Sequence, residues 1–183
     1  MIIRKANIYD TNDIARVHYD VWTDFYGDFV SPEFLEKLSY ENRKKFWLKY
    51  INEGSIVYVI EEKTGGIIGF AVPQIHKSKA GESYGEIIAH YVADKHQHNG
   101  YGSALLVACA KFFRKNHLDQ MRVWVHRDNP STEYYKKFKG VEMDARLDRM
   151  DNKDIIKLNI SWQDLDTFIT EHEFVFDNII KEY

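Results

Sequence analysis

The chain has 183 residues, 44 % hydrophobic and 29 % charged, which suits one domain with a buried core and not a disordered segment. Its net charge is only −3 and no basic tail is present, which argues against nucleic acid or an anionic membrane as the main partner. A single cysteine, Cys109, excludes an intramolecular disulfide and a cysteine-built zinc site.

The opening MIIRKA reads as a first strand; MIIRKANIYD has no signal-peptide h-region and no stretch approaches the length of a membrane span. The cytoplasm is the expected compartment. A helix follows, with Thr11 as N-cap and Ile14, Val17, His18, Val21 and Trp22 at helical spacing. A second helix starts at Ser31 as cap, with Pro32 at the first helical position and Glu33 in the first turn. The pattern breaks near Ser39, continues through Phe46, Trp47 and Tyr50, and ends at Gly54. SIVYVIEEKTGGIIGFAVPQI is two extended runs joined by a KTGG turn, with Pro73 marking a bend or an edge. SYGEIIAHYVAD is a further strand and GYGSALLVACAKFFRKN a helix with Leu105, Cys109 and Phe112 on one stripe. On that stripe Cys109 reads as a buried small hydrophobe rather than a nucleophile, because no activating base or cation adjoins it in sequence. QMRVWVHR is a strand, PSTEYYKKF a short helix, and VEMDARLDRM with KDIIKLNIS a closing hairpin about DNK. The segment 162–183 is an amphipathic helical extension. With no repeat and no linker, residues 1–183 read as a single domain of mixed α/β class.

One loop interrupts this pattern. In HQHNGYGSALL, residues 96–106, glycines stand between a strand and a helix. A helix N-terminus offers unpaired N–H groups and partial positive charge, and glycines let a ligand approach the backbone without meeting a Cβ. The arrangement suits a phosphate or pyrophosphate. It is also compatible with an ordinary strand-to-helix turn. The dinucleotide fingerprint is incomplete, since Leu105 takes its third glycine position, and no Gly-Lys-Ser/Thr is present.

Gln97-His98-Asn99-Gly100-Tyr101-Gly102 is Q-x-x-G-x-G, preceded by YVAD on a strand. It resembles the acetyl-CoA pyrophosphate loop of the GNAT (GCN5-related N-acetyltransferase) superfamily. WVHRDNPSTEYYKKFKGV resembles that family's strand, Asn, short helix and tyrosine before a glycine. ARVHYDVWTDFYGDFVSPEFLEKLS is similar to the acceptor-side helices of one bacterial branch, and IIKLNISWQDLD to its closing strand. The resemblance covers nearly the whole chain. The chain departs from it at His98 and Lys139, where glycine is frequent, and at Asp94, where proline is.

The resemblance implies a central, mostly antiparallel twisted sheet flanked by helices. It also implies transfer of acetyl from acetyl-CoA, as cosubstrate and without a metal, to an amine acceptor. Cofactor contacts would then fall on the backbone of His90, Tyr91 and Val92, on Gln97, His98, Asn99, Gly100, Tyr101, Gly102 and Ser103, and on Asn129, which also suits a helix cap. Tyr135 aligns with the family's thiolate-protonating tyrosine, and a phenol near pKa 10 suits that task. Packing on a short helix is the other reading of Tyr135 and the preferred one for Tyr134. Glu86 falls where several family members carry a carboxylate that takes the amine proton, often through water, and a solvated strand carboxylate is its equal reading. His90 reads as a packed histidine on the acceptor side, with a base as its other reading. On a regular strand the two share a face, and a bulge between them reverses this. His96 and His98 lack the companions of a metal site and read as surface histidines. Trp22, Phe25 and Tyr26 line the acceptor pocket by resemblance, and Asp24, Asp28 and Glu33 would attract a cationic amine. Two other functions are open to the sequence: a non-catalytic acyl-CoA sensor of the same fold, and an unrelated nucleotide-binding module. Leu165, Phe168, Ile169, Phe174, Val175, Phe176, Ile179 and Ile180 give the tail more apolar surface than one helix face buries, which predicts a homodimer.

Overall fold

The computed structural model describes residues 1–179, with side chains through Phe174. Seven strands form one sheet: β1 (Ile2–Lys5), β2 (Tyr58–Glu61), β3 (Ile67–Lys77), β4 (Ser83–Val92), β5 (Met121–His126), β6 (Val141–Met150) and β7 (Lys153–Trp162). Their spatial order is β1-β2-β3-β4-β5-β7-β6, and every pairing is antiparallel except β4 with β5. That parallel pair requires a crossover, which α4 (Tyr101–Lys115) supplies. The remaining helices are α1 (Thr11–Tyr26), α2 (Pro32–Lys37), α3 (Tyr40–Asn52), α5 (Ser131–Lys137) and α6 (Leu165–Ile179). Among the described residues no helix is long and apolar enough to cross a membrane.

Helices cover both faces of the sheet, and each face has its own core. On one side Leu105, Leu106, Cys109 and Phe113 of α4 pack with Met121, Val123, Ile160 and Trp162, and α6 closes this layer with Leu165 and Phe168. On the other, Ile14 and Val17 of α1 and Trp47 of α3 pack on Val59, Phe70 and Val72. Cys109 is fully buried and its thiol is pushed up by burial, as expected of a small hydrophobe.

One local reading changes and one choice is resolved. Thr11 does not cap α1; its hydroxyl returns to the Ile8 carbonyl. Chain entry is organised one turn earlier, where the Asn7 and Asp10 side chains form a reciprocal capping box around a short 3₁₀ turn. Pro73 does sit at an irregularity, but β3 lies between β2 and β4 and is not an edge. Val72 pairs with Ala89 and Pro73 with Ile87, so Ile88 is an extra residue on β4. Such a bulge exchanges the faces on which later side chains emerge. Gly85 and Ile87 face α4, and beyond the bulge so does His90, whereas Ala89 and Tyr91 face α1 and α3.

Candidate active site

The bulge also opens the sheet. Pairing of β4 with β5 stops at Ile87 opposite Val123, although β5 runs on to His126 and β4 to Val92. The two strands part over this stretch. β4 keeps its bonds to β3, and Ala93 N donates to Ile68 O, while the Val92 carbonyl points away from β3 and accepts from Gln97 Nε2 at 3.2 Å. By the alternation of an antiparallel ladder, the amide of His90 is directed into the same gap.

Helix α4 begins at the mouth of that gap. Gly100 precedes it at φ 79°, a conformation that glycine adopts without strain, and no side chain caps the first turn. The loop is braced from within: Asn99 Nδ2 donates to the carbonyls of His96 and Gln97 at 3.2 and 2.8 Å. His98 and Lys139, the two positions where the sequence departs from frequent glycine, both have φ 60°. Gly102 is needed for room. A Cβ there would lie 3.0 Å from the Tyr134 hydroxyl and 3.6 Å from His90, so a methyl would press on the tyrosine.

A cleft of about 810 Å³ runs from this helix end across the parted strands to α1. It brings together Trp22, Tyr26, His90, Tyr91, Val92, Gln97, His98, Gly100, Gly102, Ser103, Asn129 and Tyr135. Three expected site residues are not in its walls. Asn99 braces the loop, and Tyr101 packs against the α4 core. Glu86 lies before the bulge on the opposite face from His90, directly across from Arg122, whose guanidinium holds its carboxylate at 2.9 Å. The same guanidinium stacks 3.9 Å over the Tyr84 ring. Tyr91 contributes its side chain to the α1 side, stacked on His18 at 4.9 Å, and burial pushes its phenol up to about 12. His96 is not a free surface histidine; it approaches Glu62 at 3.4 Å.

At the centre of the cleft the two tyrosines of α5 meet α4 and β4. Tyr135 is 4 % exposed and packs edge-on against Trp162, and its hydroxyl lies 3.1 Å from His90 Nδ1. Tyr134 is not core alone; its hydroxyl reaches Ser103 Oγ at 3.3 Å. Burial pushes both phenols well above the usual tyrosine value, which keeps them protonated. Asn129 Oδ1 accepts from Ser131 N at 2.8 Å and so starts α5.

The other arm is aromatic. Trp22, Phe25 and Tyr26 recur at helical spacing, with Trp22 and Tyr26 ring centroids 4.3 Å apart. Phe25, Tyr26 and Phe29 surround the His126 ring at 6.1–6.3 Å. Trp124, His126, Met150 and Lys157 complete this arm, and Asp24 stands exposed at its rim. Lys157 is paired with Asp148 at 2.7 Å. Trp124 and His126 were not anticipated; they alternate with the core residues Val123 and Val125 along β5, a period-two signal that puts them on the far face.

The chain matches the acetyltransferase (GNAT) family over residues 15–140. It is 28 % identical over 168 residues to an uncharacterized N-acetyltransferase, YuaI, of Bacillus subtilis, covering 92 % of this chain and 96 % of the relative. The spermidine N(1)-acetyltransferase of Thermoplasma acidophilum is 26 % identical, with 73 % of this chain and 84 % of the relative covered. The crystal structure of the PaiA N-acetyltransferase of Thermoplasma acidophilum in complex with coenzyme A superposes with a TM-score of 0.62 at 22 % identity, over 88 % of this chain and 97 % of that one.

Proposed function

Since the chain belongs to the acetyltransferase (GNAT) family, we propose that it transfers the acetyl group of acetyl-CoA directly to a primary amine. The observation that carries this reading is the coincidence of two openings. The strands β4 and β5 part at the point where the uncapped N-terminus of α4 faces the cleft. Acetyl-CoA supplies a thioester, already activated toward an amine nucleophile. Unpaired N–H groups in the first turn of α4 would hold its pyrophosphate, and the His90 and Val92 amides in the gap would pair with its pantetheine arm and face the thioester oxygen. Tyr135 holds a proton for the departing sulfur, and the phenol recovers one from the proton that the amine releases. The engagement of Glu86 by Arg122 favours water as the taker of that amine proton.

Trp22, Tyr26 and the rim carboxylate of Asp24 suit an acceptor that is cationic and carries apolar surface. A polyamine, the substrate class in one relative's name, is the first acceptor to test. The cytoplasm is the compartment we assign. The test is the release of free CoA from acetyl-CoA in the presence of a panel of primary amines, polyamines included. Amine-dependent release supports the reading. Acetyl-CoA binding without release for any amine would instead make the chain an acyl-CoA sensor.

A further inference from the structure

The two ring nitrogens of His90 have different partners, and chemistry fixes the role of each. Nε2 lies 3.0 Å from the Gly102 carbonyl, which only accepts, so Nε2 carries the hydrogen. Burial in the cleft wall, opposed only in part by that bond, lowers the ring to about 4, so it holds no second proton at neutral pH. Nδ1 is therefore bare, and the Tyr135 hydroxyl 3.1 Å away donates to it. One side chain thus joins β4, the first turn of α4 and α5. It can do so because the extra residue Ile88 turns His90 toward α4.

We propose that His90 is a positioning residue, a neutral Nε2–H imidazole that holds the Tyr135 oxygen in place relative to the first turn of α4 and keeps its hydrogen on Nδ1 until the hydroxyl turns to the departing sulfur. A phenolic O–H otherwise rotates to suit its surroundings. Held by His90, the oxygen stays at the cleft wall with its hydrogen on Nδ1 in the resting site. To protonate the sulfur the O–H turns about the C–O bond from Nδ1 into the cleft, and Nδ1 receives the hydrogen again once the phenol is restored. The bare Nδ1 also disfavours a lasting phenolate at Tyr135, so the residue returns to its protonated form between turnovers. The consequence for turnover rests on the acetyltransferase reading; the tautomer and the bond do not.

Long-range proton–nitrogen correlation on histidine-labelled wild-type protein reads the ring without any substrate. A neutral ring with hydrogen on Nε2 at neutral pH is expected; a charged ring, or hydrogen on Nδ1, overturns the proposal even if the protein proves to be an acetyltransferase. Kinetics then test the consequence. His90→Leu keeps apolar volume and loses both bonds, and turnover should fall roughly 10-fold to 100-fold with the acetyl-CoA KM within about twofold. His90→Asn retains an acceptor near the position of Nδ1 and should restore most of the loss. In a Tyr135→Phe background, His90→Leu should cost little more. An equal loss in both backgrounds would show a merely structural role and reject the proposal. Absence of acetyl transfer by the wild type would reject the functional reading alone, and the ring spectrum would still decide the tautomer.

Discussion

Gly102 and the pair His98 and Lys139 show how much chemistry depends on single backbone positions here. A methyl on Gly102 would press on the Tyr134 hydroxyl at 3.0 Å, while the ring carbon behind it would be at an ordinary 3.5 Å. Gly102→Ala should therefore weaken acetyl-CoA binding through displacement of Tyr134, at a cost of roughly 1–3 kcal/mol, and Tyr134→Phe should recover much of it. Calorimetric affinities of the single and double variants check this; no recovery would mean that the methyl meets the ligand and not the tyrosine. Lys139 has the opposite character, a non-glycine residue held at φ 60°, its side chain in an exposed ion pair with Glu171. Lys139→Gly should relieve left-handed strain and stabilise the fold by about 1 kcal/mol after glycine's own entropy cost. Urea unfolding measures it, and a lower midpoint would contradict the argument. The glycine pattern of the loop was legible in the sequence, but the contact of Gly102 with Tyr134 was not, because that tyrosine arrives from another element.

At the scale of elements, the chain order of strands and helices was legible from periodicity, including the break near Ser39 and the DNK turn, where Asp151 and Asn152 both take positive φ. A bulge on β4 was implied by the family resemblance, but its position was not legible. Ile87 and Ile88 are alike as letters, and only pairing with β3 shows which of them is extra. That one residue sends Glu86 to Arg122 and His90 to Tyr135, so the face of each side chain was out of reach of a regular-strand argument. The entry to α1 offers a sharper test of an element's anchor. Asp10 is 7 % exposed and accepts two bonds from Arg4 at 2.7 Å and one from Asn7 N at 2.7 Å. Burial opposes its charge, but the Arg4 guanidinium and the Asn7 amide outweigh that and hold its carboxyl below the ordinary aspartate range. Its contribution is thus fully present above the unfolded value and is lost as pH falls through the lower folded one. Asp10→Ala should destabilise the protein by roughly 2–4 kcal/mol at neutral pH, with a smaller difference in strong acid. Denaturant midpoints at two pH values check it, and a pH-independent difference would show that charge is not the cause.

For the molecule as a whole, two histidines, His18 and His90, set a pH response. Burial lowers His18 to about 3 and His90 to about 4, so both stay neutral in the folded state where the unfolded chain would be protonated. Stability from these groups is present above about pH 6.5 and falls with acidification by about 1.4 kcal/mol per pH unit for each, down to their folded values. Unfolding free energies measured across that window should show this slope, and a flat profile would contradict it. The expected homodimer is a separate matter. Leu165 and Phe168 are spent on the chain's own core beside α4, while Phe174 is 64 % exposed. The side chains of Val175, Phe176 and Ile179, and Ile180 as a whole, lie outside the described residues. Exposed Val141, Met143 and Leu147 on the edge strand β6 add apolar surface, and we expect a dimeric mass by light scattering at micromolar concentration. A monomeric mass would decide against it. The central claim, that the parted strands and the end of α4 form an acetyl-CoA site, has one direct test, the calorimetric titration of the protein with acetyl-CoA and, separately, with ATP. The account predicts saturable binding of acetyl-CoA at one site per chain, with ATP far weaker; binding of ATP with none of acetyl-CoA would contradict it.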